Sequence, residues 1–168
     1  MKKIAIGCGI FLVLVIGTVT LLFYILTRPK YRDVSKEKPF VEVLSKPIIT
    51  KRPTLILNED LPRHEDYSYH LEDGNGFGMN SDLEIVAEIP TGTEVHIDKI
   101  EIHTNWVSGT SSVYLFGKVF NKEKQQNYPF QYTWGTYHLI YEDNPYWTFE
   151  LAFWQDEPLT EKYYIDVP

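Results

Sequence analysis

A single cysteine, Cys8, rules out an intrachain disulfide, so no covalent staple organises the fold. The chain has no Asn-x-Ser/Thr triplet, internal repeat or low-complexity tract. His-Glu-x-x-His spacing, a nucleophile elbow and a glycine loop leading into lysine are all missing, so no catalytic residue, metal ligand or cofactor is expected from motifs. Basic residues thin out beyond residue 63. Residues 64–168 carry 5 Lys/Arg against 18 Asp/Glu, whereas residues 1–63 carry 11 against 5. A domain this acidic offers no footprint for nucleic acid, and its charge serves solubility first. No amphipathic helical pattern occurs beyond residue 27.

The most prominent positive feature is Ile4 to Leu26, a 23-residue run without a charged side chain. As a helix it spans about 34 Å, enough to cross a hydrocarbon core of about 30 Å. Lys2 and Lys3 precede it, Arg28, Lys30 and Arg32 come after it, and Tyr24 and Tyr31 stand where interfacial aromatics do. Three alternatives fit less well. A cleaved signal has a shorter apolar core and a small-x-small site, which Leu26-Thr27-Arg28 is not. Ala5-Ile6-Gly7-Cys8 partly resembles a lipoprotein signal but has almost no apolar region ahead of it. A core helix is not apolar all round in so small a domain. The expectation is residues 1–27 as an uncleaved membrane anchor, spanning about 4–26, with the lipid bilayer as partner. The positive flank after the span favours a cytoplasmic domain, whereas the three-residue tail before it has the form of a signal anchor, which exports the chain beyond the span. We take the second, placing the domain outside the cytoplasm on a single-pass cell-membrane protein.

Residues 28–53 read as a basic linker, broken by Pro29, Pro39, Pro47 and Pro53. Residues 54–168 read as a β domain. Thr54 to Leu57 is a candidate first strand, and Asn58 to Asn80 reads as turn-rich. Leu83, Ile85, Ala87 and Ile89 alternate with polar positions, as do Val95 and Ile97. The phase slips at Asp98-Lys99 before Ile100 and Ile102 resume it, which predicts a bulge or bend. Val113–Phe120, Tyr128–Trp134, Tyr137–Tyr141, Trp147–Phe153 and Tyr163–Ile165 complete the strands. Short strands with turns every 8–12 residues predict an all-β fold, a small barrel or sandwich, behind one transmembrane helix.

The stretch SDLEIVAEIPTGTEVHID, residues 81–98, resembles the opening of a bacterial SH3-like domain. There a strand passes through a turn with Gly-Thr, here Ile89-Pro90-Thr91-Gly92-Thr93, into a second strand. Trp106-Val107 only loosely matches the Trp strand that usually comes next. The resemblance implies an SH3-like barrel that binds peptides or cell-wall components. It carries over no binding residue.

Twenty aromatic residues fall in 64–168. Most belong to a core built from large side chains. An exposed strip would stack sugar rings or hold a peptide, and Trp106, Trp134, Tyr137, Tyr146 and Trp154 lie near loops or strand ends, where such a strip would form. Among the histidines, His64, Glu65 and Asp66 with His70 are the densest cluster, while His96 shares the solvent-facing parity of Glu94 and Asp98. Asp73-Gly74-Asn75-Gly76 fails as a calcium loop at Phe77. The leading expectation is a non-enzymatic, membrane-anchored protein whose exported β domain binds a protein or cell-envelope ligand. The alternatives are a metal-dependent hydrolase using His64, His70 and nearby carboxylates, and a structural subunit of a membrane assembly.

Overall fold

The structure is a computed structural model and describes residues 13–24, 30–73, 83–105 and 107–168. Residues 13–24 form a helix, α1, whose residues are all exposed. Among the described residues no helix is long and apolar enough to cross a membrane; the rest of the Ile4–Leu26 run lies outside them.

The remaining elements are β1 (Lys30–Asp33), α2 (Phe40–Leu44), β2 (Ile48–Ile49), β3 (Thr54–Asn58), β4 (Tyr69–Glu72), β5 (Ile85–Ile89), β6 (Glu94–Thr104), β7 (Ser111–Asn121), β8 (Gln126–Thr133), β9 (Thr136–His138) and β10 (Tyr146–Thr148). The class is all-β. Eight strands make one sheet in the order β1-β6-β7-β8-β4-β3-β5, with β2 beside the start of β6; β9 and β10 pair separately. All pairs in the large sheet are antiparallel except β4 with β8.

This order forces the sheet to curl. β5 ends at Ile89 and β6 begins at Glu94, yet they are five strand spacings apart along the sheet. Laid flat, those spacings would cover about 24 Å. The connecting residues reach about 18 Å at full stretch. The turn between them uses Gly92 at φ 86°, a conformation that side chains oppose. The far hairpin helps close the curl: Asn121 Nδ2 donates to Glu88 O at 3.0 Å and Lys124 Nζ donates to Val86 O.

The stretch expected as a linker belongs to this domain. β1 pairs with residues 101–104 of β6, β2 with residues 94–95, and Val34, Phe40, Val43 and Ile48 are buried in the core. Its prolines mark the boundaries of short elements: Pro39 is the N-cap of α2, and Pro47 and Pro53 immediately precede β2 and β3. β4 lies inside the segment read as turns. At the other end, Trp147–Phe153 is strand only to Thr148, although Phe149 and Phe153 are buried, and the tail contributes a single bridge, Trp147 with Tyr163.

The bulge forms where the phase slips, between Ile97 and Lys99, and Gly117 of β7 stands opposite Ile97. A Cβ at Gly117 would lie 2.4 Å from His96 O and 3.0 Å from Phe130 Cζ. Gly117→Ala is therefore expected to cost about 2 kcal/mol. Urea unfolding would show it as a lower midpoint at unchanged slope.

Candidate functional site

The bulge decides what β6 presents. Before it Val95 faces the core; after it Ile100 and Ile102 do, each fully buried. Lys99, Glu101 and His103 consequently share the opposite face of the sheet. Antiparallel register sets Tyr31 of β1 opposite His103, and Tyr114 and Phe116 of β7 opposite Glu101 and Lys99. Gln131 of β8 comes next, opposite Phe116.

This outer face is not left to solvent. The β3–β4 loop lies across it, held by Gln131, which accepts from Arg63 N at 2.9 Å and donates to Glu59 Oε2 at 3.1 Å. The loop delivers His64 and Tyr67. The His64 ring packs edge-on against Phe116, with centroids 4.8 Å apart, and Tyr67 donates to Asp98 Oδ2 at 3.0 Å. Burial and that bond to a carboxylate push the Tyr67 phenol up to about 12.

Four groups meet at the centre. His64 Nε2 and His103 Nε2 each lie 2.8 Å from Glu101 Oε2. Lys99 Nζ lies 3.0 Å from Glu101 Oε1 and 3.0 Å from His64 Nε2. Glu101 is 6% exposed. Burial alone would raise its pKa, but the hydrogen bonds from His64, His103 and Lys99 outweigh it and hold the carboxyl at about 2. Burial lowers His103 despite the attraction of Glu101. Tyr31 stacks on the His103 ring at 5.7 Å, and Tyr114 meets it edge-on at 5.2 Å. Among the described residues this is the one group of three His, Cys, Asp or Glu side chains placed to share an ion.

The structure separates His64 from the partner expected for it. His70, in β4 opposite Leu57 and Gln131, faces a cleft of about 350 Å³ with Glu72, Asp73, Tyr132, Trp134 and Glu150. Burial lowers the His70 imidazole and raises the Glu72 carboxyl. The expected pairing of His64 with His70 and adjacent carboxylates is thus replaced by one with Glu101 and His103. The signal for it is Lys-x-Glu-x-His at period two across Lys99, Glu101 and His103, opposite the apolar Ile100 and Ile102, a spacing that places the three on one face without naming His64 as their partner. His96 is exposed and bonded to Glu94, as its parity predicts.

The five aromatic candidates divide. Trp134 is buried, 2% exposed, packed on Phe149 at 4.5 Å with its indole N–H donated to Glu150 O. Trp154 is half-buried against Trp134 and Tyr132. Tyr137 and Tyr146 lie on opposite faces of the β9–β10 ribbon, where Tyr137 packs on Trp147 and Tyr146 stacks on His138 beneath the Lys162 ammonium. Trp106 lies outside the described residues. Sequence reasoning missed the neighbouring exposed apolar side chains: Val107, Leu139, Ile140 and Tyr141 are 92%, 51%, 74% and 102% exposed. A groove of about 490 Å³ runs between Ser108–Ser112 and Gly135–Ile140.

Comparison with protein-family models, curated proteins and solved structures finds no match, and the site is read from its own geometry.

Proposed function

We propose that this chain is a non-enzymatic, membrane-anchored protein whose exported β domain sits against the bilayer and binds a protein or cell-envelope ligand there. The observation that carries the reading is the register of β1. Lys30 pairs with Thr104, so the chain enters the domain beside the β6–β7 loop. That is the end at which Val107, Leu139, Ile140 and Tyr141 are exposed. Tyr24 of α1 and Lys30 of β1 are six positions apart, so they lie within about 21 Å of each other. If the apolar run is in the membrane, these loops lie at the interface.

Further features support it. Thr18 and Thr20 donate their hydroxyls to the Leu14 and Ile16 carbonyls, satisfying them within α1 as an apolar solvent requires. Tyr141 holds a left-handed backbone, φ 67°, with its ring wholly exposed, a cost that a domain's own packing does not repay. The segments 107–112 and 134–141 carry no Asp, Glu, Lys or Arg, and Glu142 is the one acidic residue lining the groove between them. Tyr137, which lines the groove between these segments, and Tyr146, on the other face of the β9–β10 ribbon, remain the aromatic contacts proposed for the ligand. The SH3-like resemblance of residues 81–98 remains a proposal for the kind of barrel into which this sheet curls.

A depth measurement tests the reading. In full-length protein carrying Cys8→Ser, a fluorophore would be placed at Val107→Cys, Ile140→Cys or Glu123→Cys and the protein reconstituted into vesicles containing doxyl-labelled lipid. Glu123 lies at the opposite, β7–β8 end of the domain. Strong quenching at 107 and 140 with little at 123 is the expected result. Equal quenching at all three positions, or none, removes the docked orientation, and failure to float with vesicles removes the anchor itself.

A further inference from the structure

We infer that His64, Glu101 and His103 form a binding site for a divalent transition-metal ion of the zinc class, with Lys99 as an internal cation that the metal displaces. The ligand atoms, two imidazole nitrogens and one carboxylate oxygen, all lie within 4.8 Å of one another. Two come from alternate positions of one strand, fixed by the sheet, and the third from the loop clamped over it by Gln131.

Without an ion, His64 Nε2 faces two partners that require opposite protonation of it. A carboxylate oxygen only accepts, so a nitrogen 2.8 Å from Glu101 Oε2 must carry a hydrogen to donate. If His64 Nε2 carries that hydrogen, it has no lone pair for the Lys99 ammonium 3.0 Å away, and two donors face each other. If His64 Nε2 is bare and accepts from Lys99, its lone pair confronts that of Glu101 Oε2. Neither tautomer satisfies both contacts. A divalent cation satisfies all three ligands in a single state: both Nε2 atoms bare, Oε2 ionised, and the ammonium released to water along a side chain that is 30% exposed.

The donor set fixes the class of ion. Two imidazoles with one carboxylate suit zinc, cobalt, nickel or ferrous iron, whereas calcium and magnesium require oxygen ligands throughout. The surroundings favour a weakly hydrated site: Phe116 forms the floor, and Tyr31 and Tyr114 flank His103. Of the other charges nearby, Arg63 lies over the Tyr114 ring and is bonded to its hydroxyl, and Asp98 is shared by Lys118 and Tyr67. The ion would join the β3–β4 loop to β6. This inference is independent of where the protein resides.

Calorimetric titration of the full chain in detergent with zinc chloride, and with calcium chloride as the contrasting ion, tests it. One zinc per chain is expected, and no calcium. His64→Ala and His103→Ala should each weaken zinc binding about 100-fold. His64 is the safer variant for folding because it lies on a loop and is 28% exposed. Lys99→Ala should tighten binding about tenfold, since it removes the competing cation. That gain is something a purely structural role for the cluster would not produce. His96→Ala should change nothing. No stoichiometric zinc, binding that survives both histidine variants, weaker binding by Lys99→Ala, or a preference for calcium would each overturn the assignment.

Discussion

Trp147→Ala is expected to lower the unfolding free energy by about 3–5 kcal/mol, the range for deleting a fully buried large side chain. Trp147 is 0% exposed. Its ring packs on Tyr137 at 4.8 Å and stacks parallel to Phe149, while its indole N–H donates to Ile165 O at 3.1 Å. Its backbone exchanges two further hydrogen bonds with Tyr163, at 2.7 and 3.0 Å. One residue therefore ties the β9–β10 ribbon and the C-terminal tail to the core. Trp147→Phe keeps most of the apolar volume but leaves the Ile165 carbonyl without that donor, and should cost about 1–2 kcal/mol. Urea unfolding measures both, and amide exchange should show protection lost first at residues 161–168. A Trp147→Ala midpoint within error of the parent would show that the ring does not carry this load.

Glu101→Gln is the second large effect, about 3 kcal/mol at neutral pH. That figure corresponds to the fall of the carboxyl from its ordinary 4.5 to about 2 in the folded protein. The amide keeps the shape but offers no charge to His64, His103 and Lys99. The sign comes from linkage: a carboxyl whose pKa is depressed on folding stabilises the fold above its unfolded value, and the gain disappears as pH falls through its folded value. Parent and variant should thus differ fully above pH 5 and converge between about 4.5 and 2. His103 adds an earlier step of the same direction in both proteins, because burial lowers its pKa and makes protonation below 6.5 costly to the fold. Unfolding curves for both proteins at several pH values test this, and a constant difference down to pH 2.5 would contradict it.

The sheet was legible where alternation was clean. The strands at 85–89, 94–104 and 113–120, the slip at Asp98-Lys99 and the Gly92 turn are consequences of period-two patterning and turn chemistry. The N-terminal strands were not legible, because β1 and β2 are too short to show a period and their prolines lie between elements rather than inside them. β4 escaped for a different reason. Tyr69 and His70 are half-buried and Leu71 and Glu72 buried, because the strand is paired on both sides, so polar and apolar residues sit at similar depth. The site itself depended on tertiary placement. Glu101 and His103 lie in one strand, but His64 reaches them from 37 residues away in sequence, and nothing short of the loop's clamp at Gln131 joins them. The aromatic surplus pointed to exposed rings, whereas the core absorbed Trp134, Trp147, Phe149 and Phe153.

The pairing of Lys30 with Thr104 also sets a clock. The two residues are 74 positions apart. At synthesis rates of about 5–20 residues per second, β1 leaves the ribosome about 4–15 s before its partner strand exists. For that interval Val34, Phe40 and Val43, all core residues in the finished domain, have no core to enter. The β7–β8 hairpin, joined by a short turn, needs no such wait. The segment nearest the apolar N-terminal run, although made first, cannot take its place until β6 has been made.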